Sequence, residues 1–120
     1  AWHTLTEPFE GDVEQFEAVS MAPTQVLPVV PGTAMAPAFG HIFSGGYAAG
    51  YYGYKWAEVL EADAFSLFKE KGIFNREAAS SFRENVLSKG GTEHPMELYV
   101  RFRGHKPETR ALIEKMGLGK

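Results

Sequence analysis

The stretch from Ser20 to Tyr54 constrains this chain more than any other feature of its sequence. It contains no Asp, Glu, Lys or Arg, and all 12 Lys and Arg residues of the chain lie from Lys55 onward. Solvated surfaces are rich in charged side chains, so this stretch is poorly suited to facing water. Prolines interrupt it every few residues, which excludes a membrane-spanning helix and gives no reason to expect a membrane partner. We therefore expect it to be buried against other protein or to line a cavity.

The composition narrows the class of protein further. With 120 residues, 44% of them hydrophobic and 22% charged, the chain has the size and make-up of one globular domain. A net charge of only −3 gives no reason to expect a nucleic-acid partner. The absence of cysteine excludes disulfides, thiolate metal ligands and a cysteine nucleophile. It also fits a reducing compartment, so the expected location is the cytoplasm, with the periplasm as the alternative.

The pattern of apolar residues and helix-ending residues predicts an all-α fold. The longest helix is predicted over Tyr47–Lys71, because apolar side chains recur there at helical spacing before Gly72. Shorter helices are predicted over Val13–Val19 after Asp12, Arg76–Ser88 after Asn75, Pro95–Phe102 and Pro107–Met116. No run alternates with period two for long enough to indicate a strand. Residues 1–46 are thus expected to be loop-rich with a short helix, and residues 47–120 to be helical.

The segment that carries chemical groups reads F-G-H-I-F-S-G-G-Y-A-A-G-Y-Y-G-Y-K-W, from Phe39 to Trp56. On the predicted helix, Tyr47, Tyr51 and Tyr54 follow the spacing i, i+4 and i+7, which places their phenols on one face. His41 precedes this face across a pliable Ser-Gly-Gly link. The sequence therefore predicts a wall of hydroxyl groups with an imidazole at one end. Such groups can donate hydrogen bonds to peptide carbonyls or to a developing oxyanion.

A second interpretation of the same residues is structural. Aromatic side chains at helical spacing usually pack in a protein core, and a single histidine in an uncharged segment is usually a structural residue. Tyrosine in place of phenylalanine argues for a site, because each buried hydroxyl needs a hydrogen-bond partner. The residues alone leave both interpretations open.

The segment closely resembles the His/Tyr loop-and-helix signature of the thimet-oligopeptidase family of zinc peptidases, in its oligopeptidase and peptidyl-dipeptidase branches. The resemblance continues through A-E-V-L-E-A-D-A-F, G-I-F-N, F-R-E-N-V-L-S-K-G-G, H-P-M-E and F-R-G-H-K-P, which together reach Pro107. It is weakest before Phe39. One departure is His105, where many members of the family have arginine. This position lies outside the catalytic signature, so the change concerns a local contact or the charge presented to a partner.

The resemblance implies a fold, an activity and a set of site residues. This chain would be the C-terminal part of a larger, mostly helical catalytic domain that hydrolyses short peptides. Tyr54 matches the tyrosine that stabilises the oxyanion formed at the scissile carbonyl. The residues that match the substrate-binding wall are His41, Gly45, Gly46, Tyr47 and Tyr51. The expected partners are short peptide substrates and the remainder of the catalytic domain.

The resemblance implies zinc for the parent enzyme but no metal ligand in this chain. The family holds zinc with an HExxH helix and a downstream glutamate, and this sequence contains no HExxH. His3 to Glu7 reads H-T-L-T-E, and the four histidines form no helical ligand pair. We therefore expect the chain alone to be inactive and to associate with itself through its uncovered apolar stretch. The alternative is a non-catalytic helical module that binds a peptide or a protein partner.

Overall fold

A computed structural model describes residues 1–119 of the chain. Within these residues the regular elements are all helices, which confirms the predicted all-α class. The chain forms two compact units, Ala1–Tyr52 and a second unit that begins at Gly53. No helix in the described residues has both the length and the apolar character needed to cross a membrane.

The first unit is built from short helices joined by turns. Helix α1 spans Val13–Met21 and helix α2 spans Gly40–Phe43, with single 3-10 turns at Trp2–Thr4, Ala22–Thr24 and Ala36–Ala38. The carboxylate of Asp12 accepts a hydrogen bond from the backbone N–H of Gln15 at 2.9 Å. This bond satisfies a donor at the start of α1 that has no partner inside the helix, and it confirms the predicted cap.

An aromatic cluster holds the short elements of the first unit together. The ring of Trp2 lies 5.1 Å from Phe9, 4.3 Å from Phe16 and 6.1 Å from Phe43, measured between centroids. Phe16 belongs to α1 and Phe43 to α2. Trp2, which lies before the first predicted helix, therefore connects both helices. Rings at these separations attract one another through offset and edge-to-face contacts.

A carboxylate on α1 fixes the proline-containing segment that leads to α2. Glu17 accepts hydrogen bonds from the backbone N–H groups of Met35, at 2.8 Å, and of Ala36. These N–H groups open the 3-10 turn at Ala36–Ala38, whose first residue is buried. A charged acceptor on two backbone donors is a strong interaction, so Glu17 sets where the chain enters α2.

The second unit contains the long helix and three shorter ones. Helix α3 spans Gly53–Lys71, α4 spans Arg76–Phe82, α5 spans Pro95–Arg103 and α6 spans Arg110–Lys115. A π-helical turn over Arg83–Leu87 prolongs α4. Asn75 accepts a hydrogen bond from the N–H of Ala78 at 2.9 Å. Gly72 and Gly104 have φ angles of 105° and 88°, so the predicted helix ends after α3 and α5 are confirmed.

Two predicted helix starts are wrong. The long helix begins at Gly53 and not at Tyr47, because residues 47–52 form turns. Gly50 lies within this segment and disfavours a helix by about 1 kcal/mol relative to alanine, and the apolar residues at helical spacing begin only at Trp56. The last helix begins at Arg110 and not at Pro107. Its first carbonyl acceptor is that of Thr109, which accepts the N–H of Ile113 at 3.0 Å.

The apolar core of the second unit lies where α3, α4 and α5 meet. Phe102 is 5% exposed, and its ring centroid lies 5.0 Å from that of Phe82 and 6.3 Å from that of Phe68. The residues packed around this centre are Leu60, Ala64, Leu67, Val86 and Tyr99. Burial of these side chains is the main favourable term that holds the three helices together.

Large apolar side chains also remain at the surface of both units. Val26 in the first unit is 91% exposed and Phe74 in the second is 96% exposed. Other apolar residues of the uncharged stretch, Leu27, Val29 and Val30, are exposed as well. An apolar surface of this extent is typical of a face that contacts other protein.

Replacing Phe102 by alanine is expected to lower the free energy of unfolding of the chain by about 3–5 kcal/mol, since it leaves a cavity in the core. Phe74→Ala is the matched control, because that ring is 96% exposed. It should change the free energy by less than about 0.5 kcal/mol. Urea unfolding followed by circular dichroism gives both values. Equal losses for the two variants would contradict a core centred on Phe102.

Candidate functional site

The single turn of α2 is closed by three hydrogen bonds to one carbonyl. The carbonyl oxygen of Gly40 accepts the N–H of Ser44 at 2.7 Å, the N–H of Gly45 at 2.8 Å and the hydroxyl of Ser44 at 3.0 Å. The N–H of Tyr47 then donates to the carbonyl of His41 at 3.2 Å. The chain therefore folds back on α2, and this return brings Tyr47 beside His41.

Gly45 and Gly46, in the segment that folds back on α2, differ in what surrounds them. A Cβ atom added to Gly45 would lie 3.0 Å from the carbonyl oxygen of His41 and 3.2 Å from its Cα. Both are backbone atoms that cannot move aside without moving α2. A Cβ added to Gly46 would meet no atom within 4 Å. Gly45 is thus required by the chain's own backbone, whereas the space beside Gly46 is open.

The segment that folds back on α2 places three of the predicted site residues together. The imidazole of His41 lies 5.7 Å from the ring of Tyr47 and 5.8 Å from that of Tyr51, and the two tyrosine rings are 6.4 Å apart. We call His41, Tyr47 and Tyr51 the His–Tyr cluster. All three residues are exposed to solvent. The cluster therefore presents an imidazole and two phenols that can donate or accept hydrogen bonds.

The cluster forms for a different reason from the one predicted. Tyr47 and Tyr51 were expected on one face of a helix, and that expectation is wrong because both lie in turns before α3. Tyr54 is the second residue of α3, exposed, and belongs to the second unit. Its alignment with the His–Tyr cluster stays a prediction.

Phe39 is a contributor that the sequence analysis did not single out. Its ring meets that of Tyr51 edge to face, with centroids 4.7 Å apart. Edge-to-face contact of this kind orients a phenol without using its hydroxyl. The available signal was its position at the start of the motif, two residues before His41.

The described residues do not supply a zinc site. Among positions 1–119, no three His, Cys, Asp or Glu residues come close enough to hold a metal ion. The sequence also lacks the pair of histidines one helical turn apart that a zinc peptidase uses.

Gly45→Ala is expected to displace His41 and to shift the amide resonances of His41 and Tyr47 by NMR, because the added methyl group would press on the His41 backbone. Gly46→Ala is the matched control and should leave these resonances nearly unchanged, since its methyl group enters open space. Two-dimensional proton–nitrogen spectra of both variants measure the difference. Equal perturbation by both substitutions would contradict the close approach of Gly45 to His41.

The sequence profile of peptidase family M3 matches residues 1–118 of this chain. The match therefore covers both units, including the His–Tyr cluster and α3. It agrees with the resemblance drawn from the motif between Phe39 and Trp56, which is thereby confirmed.

Individual relatives extend this result. Oligopeptidase A of Escherichia coli strain K12 is 62% identical over 81 residues, which are 68% of this chain and 12% of that protein. The organellar oligopeptidase A of Arabidopsis thaliana is 45% identical over 111 residues, 89% of this chain and 14% of the relative. Dipeptidyl carboxypeptidase of Escherichia coli is 40% identical over 119 residues, 98% of this chain and 18% of the relative.

The chain spans less than a fifth of the length of each of these relatives. The profile nevertheless covers nearly all of it. On this evidence the chain belongs to peptidase family M3.

Proposed function

We propose that this chain is the C-terminal part of the catalytic domain of a zinc peptidase that hydrolyses short peptides. Its own contribution is the wall of the cleft that binds the substrate backbone and stabilises the oxyanion. The observation that carries the proposal is the His–Tyr cluster, in which an imidazole and two phenols lie within 6.4 Å of one another in a family M3 chain. The names of the relatives, oligopeptidase and dipeptidyl carboxypeptidase, support peptide hydrolysis as the activity.

In the proposed reaction, the His–Tyr cluster holds the peptide backbone near the bond that breaks. Peptide carbonyls accept hydrogen bonds from phenols and imidazoles, and peptide N–H groups can donate to them. The open space beside Gly46 lets an extended peptide approach the backbone of the chain there. These contacts exist before and during the reaction, so they contribute to binding and to orientation together.

Tyr54 has a different part in the proposal. Its phenol donates a hydrogen bond to the carbonyl oxygen of the scissile bond as that oxygen becomes negatively charged. A donor of this kind is worth on the order of 3 kcal/mol in the barrier when it meets the charge directly. The exposure of its side chain leaves it accessible to substrate.

Zinc in the parent would activate the attacking water and polarise the carbonyl, and its ligands would come from protein outside this chain. The remainder of the catalytic domain is accordingly the first partner proposed for the chain. The exposed apolar residues of the uncharged stretch support this, because they need a cover. Where that cover is missing, the same surface would lead the chain to associate with itself.

Tyr54→Phe in the full-length parent is expected to lower kcat by about ten-fold or more and to leave KM nearly unchanged. The substitution removes one hydroxyl and keeps the ring, and a hydrogen bond that strengthens only with developing charge affects the rate rather than ground-state binding. Steady-state hydrolysis of a quenched fluorescent peptide measures both constants. Tyr52→Phe is the control, because it removes a neighbouring phenol that is 75% exposed and has no assigned role.

The same assay separates the two kinds of residue. Tyr47→Phe and His41→Ala should change kcat and KM together, because these side chains hold backbone atoms in both states. An unchanged kcat in a folded, zinc-loaded Tyr54→Phe enzyme would remove Tyr54 from the mechanism.

The 120-residue chain by itself is expected to bind no stoichiometric zinc and to hydrolyse no peptide. A catalytic zinc site needs several protein ligands held together, and this sequence contains no pair of histidines at the spacing that such a site uses. Metal analysis of the dialysed chain and the peptide assay check this. One tightly held zinc ion per chain would contradict the proposed division of the active site.

A further inference from the structure

The second unit buries one acidic side chain, Asp63 on α3, which is 3% exposed. It lies between Ala62 and Ala64, which are also buried. A buried carboxylate is costly unless it is paired and hydrogen-bonded, so its surroundings must supply partners. Neither the core nor the proposed chemistry of the cleft accounts for this group.

Two side chains of α5 supply those partners. The hydroxyl of Tyr99 donates to the Asp63 carboxylate at 2.5 Å and lies 3.3 Å from the carbonyl of Leu60. The guanidinium of Arg103 donates through Nε to the carbonyl of Asp63 at 3.1 Å, and Nε lies 3.8 Å from its carboxylate. A second guanidinium nitrogen of Arg103 donates to the hydroxyl of Ser66 at 2.8 Å.

These contacts repeat at helical spacing along both helices, and we call them the α3–α5 contact. Tyr99 and Arg103 are four residues apart, so both project from the same face of α5. The groups that they contact on α3 belong to residues 60, 63 and 66, which likewise lie along one face. Apolar contacts tolerate sliding, whereas hydrogen bonds require particular distances and angles. The α3–α5 contact therefore fixes, relative to α5, both the rotation of α3 about its axis and its position along that axis.

The Tyr99 phenol stays a donor throughout the working range of pH. Burial, followed by the neighbouring Asp63 carboxylate, raises the pKa of Tyr99 above its usual value. A protonated phenol can donate to Asp63, whereas a phenolate would repel it.

Tyr54 lies on α3 as Asp63 does, and this connects the α3–α5 contact to the proposed chemistry. Nine residues separate Tyr54 from Asp63, which is about two and a half turns and about 13 Å along the helix axis. Half a turn beyond two full turns places Tyr54 on the side of α3 opposite to Asp63. An anchor on the inner side of the helix thus sets the direction in which the outer phenol points.

We propose that Asp63, Tyr99 and Arg103 are positioning residues that aim the Tyr54 phenol at the reacting carbonyl. The inference rests on the proposed role of Tyr54 and extends it to groups that do not touch the substrate. A rotation of α3 by a fraction of a turn would move the phenol by ångströms, and misplacement on that scale costs a large part of a catalytic contribution.

A double-mutant cycle in the full-length, zinc-loaded parent tests this proposal. Tyr99→Phe removes only the hydroxyl that Asp63 accepts and keeps the ring that packs on Phe102. It should lower kcat by about five-fold with little change in KM, because the donor is displaced and the binding contacts are not. In the Tyr54→Phe background the same change should lower kcat by less than about two-fold, since the group that it positions is already absent.

Two further variants keep the experiment decisive. Arg103→Lys keeps the charge but loses the planar fork, and should show the same dependence on Tyr54 even if Tyr99→Phe lowers the melting temperature. Glu61→Gln is the matched control. It breaks a tie between α3 and α6, the 2.6 Å pair with Lys115, that is exposed to solvent. It should leave kcat unchanged in both backgrounds.

The outcomes distinguish this inference from the function on which it rests. A Tyr54→Phe enzyme with normal kcat would overturn the proposed role of Tyr54. The positioning role of the α3–α5 contact would then be overturned with it. A lowered kcat for Tyr54→Phe, combined with an equal effect of Tyr99→Phe in both backgrounds, would overturn the positioning role alone. In that case the three residues would serve the stability of the second unit only.

Discussion

The absence of charge between Ser20 and Tyr54 is the constraint on which the first unit depends. Without ion pairs of its own, this stretch is held by backbone hydrogen bonds, by aromatic contacts and by one carboxylate from outside it, Glu17 on α1. Three donors converge on the carbonyl of Gly40, and the chain folds back on α2 as a result. The His–Tyr cluster is a product of that return. The apolar side chains left at the surface are the other consequence, because this stretch has no charged residues to place there.

Features that depend on neighbouring residues were predictable from the sequence. The caps at Asp12 and Asn75 follow from short side chains that accept hydrogen bonds three residues ahead, and the end at Gly104 follows from a φ angle that glycine adopts easily. The start of the long helix differs from the prediction because the apolar spacing that predicts this helix begins only at Trp56, and the glycines before it favour turns. The contacts of Asp63 join residues 36 to 40 positions apart, so no local pattern could reveal them.

The proposed site places its two kinds of group on different kinds of support. Tyr54 stands on a helix that a buried carboxylate, a phenol and a guanidinium hold in rotation and register. The His–Tyr cluster stands on turns that contain several glycines. A donor that must meet a developing charge benefits from fixed geometry, because no energy is then spent on reorganisation during the reaction.

The absence of Asp, Glu, Lys and Arg from the stretch that carries the His–Tyr cluster bears on the proposed binding of peptides. Every peptide presents carbonyl and N–H groups at regular intervals, so phenols and an imidazole can bind its backbone whatever its side chains are. Charged residues in the same stretch would favour substrates of opposite charge and disfavour those of like charge. In the proposed function, a binding wall without Asp, Glu, Lys or Arg would impose little preference for the charge of the peptide. The sequence feature that leaves the first unit with exposed apolar surface would thus also suit it, in the proposed function, to bind peptides of varied charge.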